Sequence, residues 1–465
     1  MSPYSVVVMG AGVAGLSAAL LLARDGHQVT LIDKDGFGTG DGAPQDAPNW
    51  NRPGVPHFLQ PHAFIPRGRS VLREHFPDVY QSLLGNGAHE VDMRPKIPGP
   101  IEPQDEELQY LAVRRPMIEW ALREAIRSEP GVQVRSASYV TGFNVTSGRG
   151  VVAEIDGIAA PADFIVDALG RRSPVDRWLA DVAIASNPLQ TSDCGVVYYS
   201  RYYVVKPGHS LPDGPWLLGP RGDLGYLGFA TFPGDNGTFA VLLAVPTGVG
   251  HWRALRDPEI FEAAAARIPA LGAWLDPENV VAITAVMAMA GLRNSIRDPA
   301  PLINAGVVPV GDAYGHTDPF LALGLTFAML HATELVASLR NHAQLNDSLA
   351  AYVSATQSAL SERFGFATEL DSQRLAHWKG SGIDFSHREG AYEMFSVFAA
   401  GAASMLDAEI FRVSARRNGL LDSINVLDRD VALQLRIGEL FAQMRTTPRP
   451  PAGPTYEQML ETVAS

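Results

Sequence analysis

Residues 5–33 read SVVVMGAGVAGLSAALLLARDGHQVTLID, and this stretch decides the fold. An apolar strand-like run ends at a glycine-rich turn, an apolar helix-like run follows, and a second apolar run ends in Asp33. A strand, a GxGxxG turn, a helix and a second strand that ends in an acid form the unit that binds dinucleotides. We therefore predict a dinucleotide-binding α/β domain at the start of the chain.

Each residue type in this unit has a physical reason. Gly10 lets the chain turn sharply out of the strand, Gly12 lets a pyrophosphate approach the backbone, and Gly15 lets the helix pack close to the strands. The free N–H groups and the dipole at the start of the helix favour a phosphate there. Asp33 follows the last glycine by about twenty residues, where an acid accepts hydrogen bonds from ribose hydroxyls. The alternative interpretation is a glycine-rich turn in an unrelated α/β protein.

The composition narrows the class of protein. A chain of 465 residues is long enough for two or three domains. Its composition, with 46% apolar and only 19% charged residues, favours a packed core over disorder. The net charge of −13 argues against nucleic acids and anionic membranes as partners. The single cysteine, Cys194, excludes an internal disulfide bond and is expected to be a small buried residue.

The sequence also indicates where the protein resides. The apolar stretch near the N-terminus is already used as a strand, so we do not expect a signal peptide. No uncharged apolar run reaches the eighteen or so residues that a bilayer requires. We expect a cytoplasmic protein without integral membrane association.

The rest of the chain separates a β-rich middle from a helical end. Residues 194–205, 226–232 and 238–245 alternate like strands of a mostly antiparallel sheet, with a hairpin signal at Asp235-Asn236-Gly237. We predict further elements as one helix over 258–275, one strand over 280–289, helices from about 325 to 445, a short helix over 455–463, and loops over 36–56 and 446–454.

The N-terminal turn together with Gly311-Asp312 resembles the glutathione-reductase-type FAD fold of the FAD-dependent monooxygenase superfamily. The resemblance implies an α/β fold: a Rossmann-type FAD-binding domain assembled from separated segments, an inserted β-sheet substrate domain and a helical C-terminal region. The implied FAD-binding segments are residues 1–75, 111–180 and 296–340. The implied remaining parts are a substrate-domain segment or loop over 76–110, the substrate domain over 181–295 and the helical region over 341–465.

The resemblance also implies which residues contact FAD. Arg115 matches the arginine at a helix start that contacts the diphosphate, and Asp312 matches the acid that bonds a ribityl hydroxyl. Without the resemblance, Arg115 reads as a surface arginine and Asp312 as a turn or helix-cap aspartate. The residues implied to bind FAD are Gly10, Gly12, Ala14, Gly15, Asp33, Lys34, Arg115, Asp312, Pro319, Gly324 and Leu325.

Two residues depart from the usual form of the loop near the flavin. Residues 318–325 read DPFLALGL where the family usually has Asn-Pro-x-x-Gly-x-Gly, so Asp318 replaces the Asn and Ala322 the first Gly. In the family, the amides at this helix start stabilise negative charge on the reduced flavin. A carboxylate there is unfavourable unless it points away or is protonated.

Other motifs indicate a subgroup. Leu169-Gly170 stands where aromatic hydroxylases carry an Asp-Gly motif linked to FAD and NAD(P)H binding. The chain resembles instead the actinomycete-type hydroxylases and epoxidases, through residues 167–173, Gly54-Val55-Pro56 and His62-Ala63. Gln60 departs from this group, which usually has a histidine there.

The resemblance implies that reduced FAD adds O2 to form a C4a-hydroperoxide, which hydroxylates or epoxidises a hydrophobic small molecule, with secondary metabolism as a setting. Candidate proton or substrate handlers are His62, His316, Tyr198 and Arg201, although ordinary packing or a surface position is the alternative for each. Tyr198 and Arg201 have opposite strand parity, so at most one faces the pocket without a bulge. We predict no metal site, because Pro56 and Pro61 argue against a helix that would bring His57 and His62 together.

Two questions stay open at this stage. No second glycine fingerprint exists, so electrons would come from NAD(P)H that docks transiently or from a partner flavin reductase. The alternative functions are a flavin-dependent C=C reductase of a prenyl-type substrate and a non-redox cyclase that retains structural FAD. Flavin halogenases are disfavoured because the Trp-x-Trp-x-Ile-Pro signature is absent.

Overall fold

The computed structural model describes residues 3–36, 44–145, 150–214, 218–446 and 452–464. The predicted loops over 36–56 and 446–454 lie partly outside these residues. The helices and strands up to residue 181 are, in order, β1 (Ser5–Met9), α1 (Val13–Arg24), β2 (Gln28–Asp33), α2 (Pro66–His75), α3 (Pro77–Gly85), β3 (His89–Asp92), β4 (Gln109–Ala112), α4 (Arg115–Arg127), β5 (Val132–Ser136), β6 (Val140–Val145), β7 (Val151–Ile155), β8 (Ile158–Ala162), β9 (Phe164–Asp167) and α5 (Val175–Asp181).

The middle of the chain is rich in strands, as predicted. Its elements are β10 (Gln190–Asp193), β11 (Val196–Val205), β12 (Arg221–Asp223), β13 (Gly228–Pro233), β14 (Thr238–Pro246), α6 (Pro258–Ala266), α7 (Pro269–Trp274), β15 (Val280–Ala282), β16 (Met287–Met289) and β17 (Arg293–Ile296). The last part contains α8 (Ala300–Asn304), β18 (Val307–Pro309), β19 (Gly315–His316), α9 (Gly324–Asn341), α10 (Leu345–Trp378), α11 (Tyr392–Met394), α12 (Ala400–Ala403), α13 (Ala408–Asn418), α14 (Val431–Thr446) and α15 (Tyr456–Ala464).

A five-stranded parallel sheet with the order β18-β9-β1-β2-β5 is the centre of the part that is predicted to bind FAD, which we call the FAD-binding part. Its strands come from three separated stretches of the chain, which confirms the predicted assembly. Helix α1 is buried along almost its whole length and packs against α9 and α4. The antiparallel sheet β6-β7-β8 lies next to β9.

A second sheet, β12-β13-β14-β11-β15, is antiparallel, and β16 also pairs with β11. One face of this sheet packs on α6, α7 and α15 through buried side chains such as Phe239, Trp252, Phe261 and Met459. This confirms the inserted β-sheet. The smaller sheet β10-β17-β19 joins this region to the chain that follows β18.

Some predicted boundaries were wrong for physical reasons. The helix over 258–275 is divided, since α6 ends at Ala266 and α7 begins at Pro269. The strand over 280–289 is also divided, because residues 283–286 oppose only Arg201 and Tyr202 of β11. These extra residues form a bulge in which the hydroxyl of Thr284 accepts a hydrogen bond from the Tyr202 N–H.

Candidate active site

The turn between β1 and α1, residues 10–15, forms what we call the glycine cradle. Gly10 has φ +99°, and a Cβ there would lie 2.6 Å from the carbonyl oxygen of Ala168. A Cβ on Gly15 would lie 1.8 Å from the carbonyl oxygen of Gly10, so only glycine permits this close contact between helix and strand. Gly12 is different, because a Cβ there would have only Arg115 Nη2 as a neighbour, at 3.7 Å. The first turn of α1 has no side-chain cap.

Arg115 starts α4 and faces the cradle. Its Nε donates to Glu119 Oε1 at 2.9 Å, one helical turn further along, which fixes the guanidinium with Nη2 towards Gly12. The uncapped N–H groups of α1 and this cation form an anion-binding arrangement of the kind that holds a diphosphate.

The acid at the end of β2 is buried and paired. Asp33 is 6% exposed and accepts a hydrogen bond from Arg52 Nη1 at 2.8 Å. Arg52 also lies 3.3 Å from the Asp35 carboxylate and 3.4 Å from that of Glu119, and it donates to the carbonyl oxygen of Ala11. The predicted ribose-binding acid is therefore part of a buried ionic network. Of the other predicted FAD contacts, Ala14 is half-buried on α1, and Lys34 is exposed directly after β2.

Asp312 lies in the turn after β18, next to the start of α9. Arg171 Nε donates to Asp312 Oδ2 at 2.9 Å, and a Cβ on Gly324 would lie 3.7 Å from Asp312 Oδ1. Burial by itself would raise the pKa of the Asp312 carboxyl, but Arg171 holds that pKa well below its usual range. The predicted ribityl-binding acid is thus ionised and lies at the positive end of a long helix.

Three histidines lie near Asp312 and Arg171. The rings of His57 and His62 are 5.9 Å apart, and His316 Nδ1 lies 3.3 Å from the carbonyl oxygen of Asp312. Burial and the charge of Arg115 lower the pKa of His57 to about 2 and that of His62 to about 3. Burial also lowers the pKa of His316. All three rings are therefore neutral at neutral pH.

His62 has a defined polar orientation. Its Nδ1 lies 2.7 Å from the carbonyl oxygen of Gln60. Because a carbonyl oxygen can only accept, the neutral ring carries its proton on Nδ1, and Nε2 is left as an acceptor. The ring lies against an apolar wall that includes Phe64, Tyr110 and Phe232.

Tyr198 and Arg201 point to opposite sides of β11, as their parity predicts. The Tyr198 hydroxyl donates to Asp318 Oδ1 at 2.6 Å, so this side chain faces the FAD-binding part. Arg201 Nη1 donates to Glu262 Oε1 at 2.7 Å, and its Nε donates to the carbonyl oxygen of Thr284. Arg201 therefore contacts α6, whereas Tyr198 lies beside the loop that precedes α9.

Residues 318–324 form what we call the flavin-side loop, after the position that the resemblance predicts for it. Pro319 begins a short 3-10 turn, and Ala322 has φ +54°, the left-handed conformation that glycine adopts at least cost. The loop leads directly into α9, where Gly324 is the first residue and Leu325 is buried. The backbone thus takes a glycine-like path at the position where alanine replaces the usual glycine.

A groove of about 940 Å³ lies between the FAD-binding part and the six-stranded sheet. Leu59, Leu84, Tyr202 and Ile283 contribute apolar surface to it. Among the described residues that line it, Arg114 is the only one with a formal charge. Arg114 is paired with the buried carboxylate of Asp235, with Nη2 to Oδ1 at 2.6 Å.

Several residues of this region are not predicted from the sequence. Glu119 follows Arg115 by four residues on the same helix, so the helical spacing could have indicated the pair. Arg171 lies in the motif over residues 167–173, for which the resemblance predicts no contact with Asp312. Nothing in the local sequence places Arg52 beside Asp33, or Arg374 of α10 beside Asp318.

Comparisons with known proteins relate parts of this chain to flavoproteins by sequence and fold. Residues 5–92 match the family model of FAD-dependent oxidoreductases. Hydroxyneurosporene desaturase from Rubrivivax gelatinosus is 53% identical over 51 residues, which is 10% of this chain and 10% of that protein. The match thus spans about a tenth of the curated relative.

Solved structures share the architecture over most of the chain. PqsL, a probable FAD-dependent monooxygenase from Pseudomonas aeruginosa, is 15% identical and covers 82% of this chain and 99% of its own, with a TM-score of 0.57. The flavin-dependent brominase Bmp2 is 16% identical and covers 96% and 98%, with a TM-score of 0.59. 2-Methyl-3-hydroxypyridine-5-carboxylic acid oxygenase, as the variant Y270A, is 17% identical and covers 90% and 98%, with a TM-score of 0.57.

At such low identity these structures show the fold alone. Among the described residues, no helix is both long and apolar enough to cross a membrane. Residues 5–92 thus resemble the FAD-dependent oxidoreductases, and the chain shares the fold of the solved flavin enzymes named above.

Proposed function

We propose that the protein is an FAD-dependent monooxygenase that hydroxylates or epoxidises a neutral, hydrophobic small molecule, a reaction suited to secondary metabolism. One oxygen atom of O2 enters the substrate and the other leaves as water. Two electrons and one proton come from NAD(P)H, directly or through a partner flavin reductase, and the second proton of the water comes from the solvent. Bound FAD would supply the chemistry, since reduced flavin activates O2.

The residues present fit FAD. The glycine cradle offers uncapped N–H groups opposite Arg115. Near the position that a Cβ of Gly12 would take, the flexible end of the Arg115 side chain is the only neighbour. Asp312 lies at the start of α9, where backbone N–H groups would face the electron-rich end of a bound flavin. We propose that both ends of the dinucleotide are held in this way.

One observation carries the proposal: the start of α4 separates the cradle from the groove. Arg114 and Pro116 line the groove, whereas Arg115 between them faces Gly12. A cofactor in the cradle and a substrate in the groove would therefore share one wall. Such a juxtaposition of a dinucleotide and an apolar pocket is what a flavin oxygenase requires.

The lining of the groove indicates the class of substrate. Its volume lies within the usual range of about 300–1,000 Å³ for small-molecule sites. Its one charged lining residue among those described is already neutralised by Asp235, so a neutral molecule fits better than an anion. Amide side chains such as Asn49 and Asn236 could orient a carbonyl or hydroxyl group.

Residues of β11 connect the groove with the flavin side. Tyr198, Ser200 and Tyr202 lie on one face of the strand. Tyr202 lines the groove, Ser200 donates to the side chain of Gln60 at 2.9 Å, and Tyr198 bonds the flavin-side loop. His62, neutral and with Nε2 free of a proton, would act here as a hydrogen-bond acceptor and not as a cation.

The test starts with the flavin content of the purified protein. FAD should be present, and a lipophilic substrate panel with a reductant and isotopically labelled O2 should give a product that carries one labelled oxygen atom. Anaerobic mixing with NADH or NADPH identifies the electron source, since bleaching of the flavin indicates direct reduction. Absence of flavin would contradict the proposal.

Two other outcomes point to the alternatives. Turnover that does not depend on O2 and adds two hydrogens would indicate a C=C reductase. A product with the mass of the substrate would indicate a cyclase that retains structural FAD.

A further inference from the structure

We propose that Arg374 of the C-terminal helix α10 belongs to the flavin site as a positioning residue, because it is the counter-ion that keeps Asp318 charged and turned away from the cofactor. The inference rests on the FAD binding of the proposed function and not on oxygen transfer. Nothing in the sequence motif places this helix at the site.

The contacts at Asp318 are short and buried. Arg374 Nη2 donates to Asp318 Oδ2 at 2.5 Å, and the Tyr198 hydroxyl donates to Asp318 Oδ1 at 2.6 Å. The backbone N–H of Asp318 donates to Asn294 Oδ1 at 2.7 Å. The side chains of Asp318 and Arg374 are 1% and 2% exposed, so water does not screen this pair.

A second acid completes the cluster. Asp371 lies one turn before Arg374 on α10, accepts from Arg374 Nη2 at 2.8 Å and accepts from Asn294 Nδ2 at 2.8 Å. Burial and the charge of Asp318 raise the pKa of the Asp371 carboxyl to about 8. At neutral pH the cluster therefore contains one anion, one cation and one neutral carboxyl group.

The same place has the spacing of a metal site. One ligand atom each from Cys194, Asp318 and Asp371 lie within 4.8 Å of one another. The guanidinium of Arg374, however, bonds both carboxyl groups, and it also lies 5.2 Å from the ring of Phe320 and 5.3 Å from that of Trp378. Arg374 thus provides the positive charge that a metal ion would otherwise bring.

This charge matters for the flavin-side loop because Asp318 is its first residue. The loop leads to the start of α9, whose positive end lies beside Asp312. Without Arg374, the charge of the uncompensated carboxylate would offset the positive potential at the start of α9. It would therefore destabilise negative charge on a reduced flavin. With Arg374, the carboxylate is held towards β11 and α10, which satisfies the condition that the sequence analysis set for an acid at this position.

The experiment compares Arg374→Met, Asp318→Asn and the double variant in the full-length protein. The readouts are the Kd for FAD by fluorescence quenching, the flavin reduction potential by dye equilibration, and the Tm of the apoprotein. Arg374→Met should raise the Kd about tenfold or more and make the potential more negative, because it leaves a buried charge unpaired. In the double variant the Kd should return to within about threefold of the wild-type value. Most of the change in potential should also be reversed.

A matched control is Arg363→Met on the same helix. Arg363 is also buried, but it donates to the backbone carbonyl oxygens of Arg417 and Asp422. This control should lower Tm while the Kd and the potential of the folded protein stay as in the wild type. If Arg374→Met does not fold, Arg374→Lys keeps the charge and should preserve the potential with a smaller rise in Kd.

Several results would overturn the inference. One is a double variant that is no better than Arg374→Met, and another is an Arg374→Met variant, or failing that an Arg374→Lys variant, that changes Tm as the control does and nothing else. A wild-type protein that takes up no FAD would overturn both this inference and the proposed function. A protein that binds FAD but transfers no oxygen would contradict only the proposed function.

Discussion

Asp33 and Asp318 are both buried acids at the ends of the candidate cofactor site, and each is paired with an arginine, but their surroundings differ. Asp33 shares Arg52 with two further carboxylates, those of Asp35 and Glu119. Asp318 has Arg374 together with a tyrosine hydroxyl and a neutral acid. In the first network one arginine contacts three carboxylates, and in the second one arginine faces a single charged carboxylate.

Because Arg52 contacts three buried carboxylates, we expect the largest effect at this residue. Arg52→Met should lower the free energy of unfolding by about 4 kcal/mol, because it leaves buried carboxylates without their cation. Urea unfolding measures this. The control Arg24→Met removes a partly exposed pair with Asp78 and should cost no more than about 1 kcal/mol. Equal losses in the two variants would contradict the buried network.

The glycine cradle allows a second test, in which shape replaces charge. Gly15→Ala should destabilise the protein by about 3 kcal/mol, since its Cβ would lie 1.8 Å from the Gly10 carbonyl oxygen. Gly12→Ala should leave the stability nearly unchanged and weaken FAD binding, because its Cβ meets only the Arg115 side chain. Unfolding curves and FAD titration of both variants separate packing from binding, and similar behaviour of the two would refute the distinction.

His331 gives a smaller effect that depends on pH. It is buried on α9 and accepts a hydrogen bond from the Gly311 N–H, and burial lowers its pKa to about 3. The unfolded chain takes up a proton below about pH 6.5 and the folded one does not, so stability is present above that pH and is lost as the pH falls towards 3.

Between about pH 7.5 and pH 5 this residue alone should account for a loss of about 2 kcal/mol. The variant His331→Asn should lose that much less than the wild type over the same range, as urea unfolding at the two pH values would show. A pH dependence that is the same in both proteins would mean that His331 titrates normally in the folded state.

The smallest expected effect concerns the backbone of the flavin-side loop. Ala322→Gly should raise stability by about 1 kcal/mol, because it relieves the left-handed conformation at φ +54°. Ala183→Gly, at φ +59° in the exposed turn that follows α5, is the matched control. Both substitutions should raise the Tm by a similar amount, and only Ala322→Gly should alter FAD binding. If neither substitution raises the Tm, the strain is compensated elsewhere.

The sequence predicted what depends on neighbours close along the chain. The cradle and Asp33 lie within one βαβ unit, so their spacing indicated the dinucleotide site directly. The alternation along β11 placed Tyr198 and Arg201 on opposite faces, and the structure has them so. The hairpin at residues 235–237 was likewise readable from its turn residues.

The rest depends on contacts between distant residues. Tyr198 lies 120 residues before Asp318, and Arg374 lies 56 residues after it, so no local pattern relates them. The bulge opposite Arg201 depends on how two strands meet, and the neutral state of His62 depends on burial beside Arg115. The roles of the predicted site residues, from Ala14 and Lys34 to His316, stay predictions until FAD and substrate are tested.

Helix α10 has 34 residues, which corresponds to about 50 Å. Near its start Tyr352 bonds the carbonyl oxygen of Pro309, and at its end Trp378 bonds Asp223 of the six-stranded sheet. A fragment cut before this helix would retain the whole dinucleotide fingerprint and lose the cation beside Asp318. Limited proteolysis between α9 and α10 should therefore release FAD. This result would mean that FAD binding requires the C-terminal part of the chain, although the dinucleotide fingerprint lies within the first thirty-three residues.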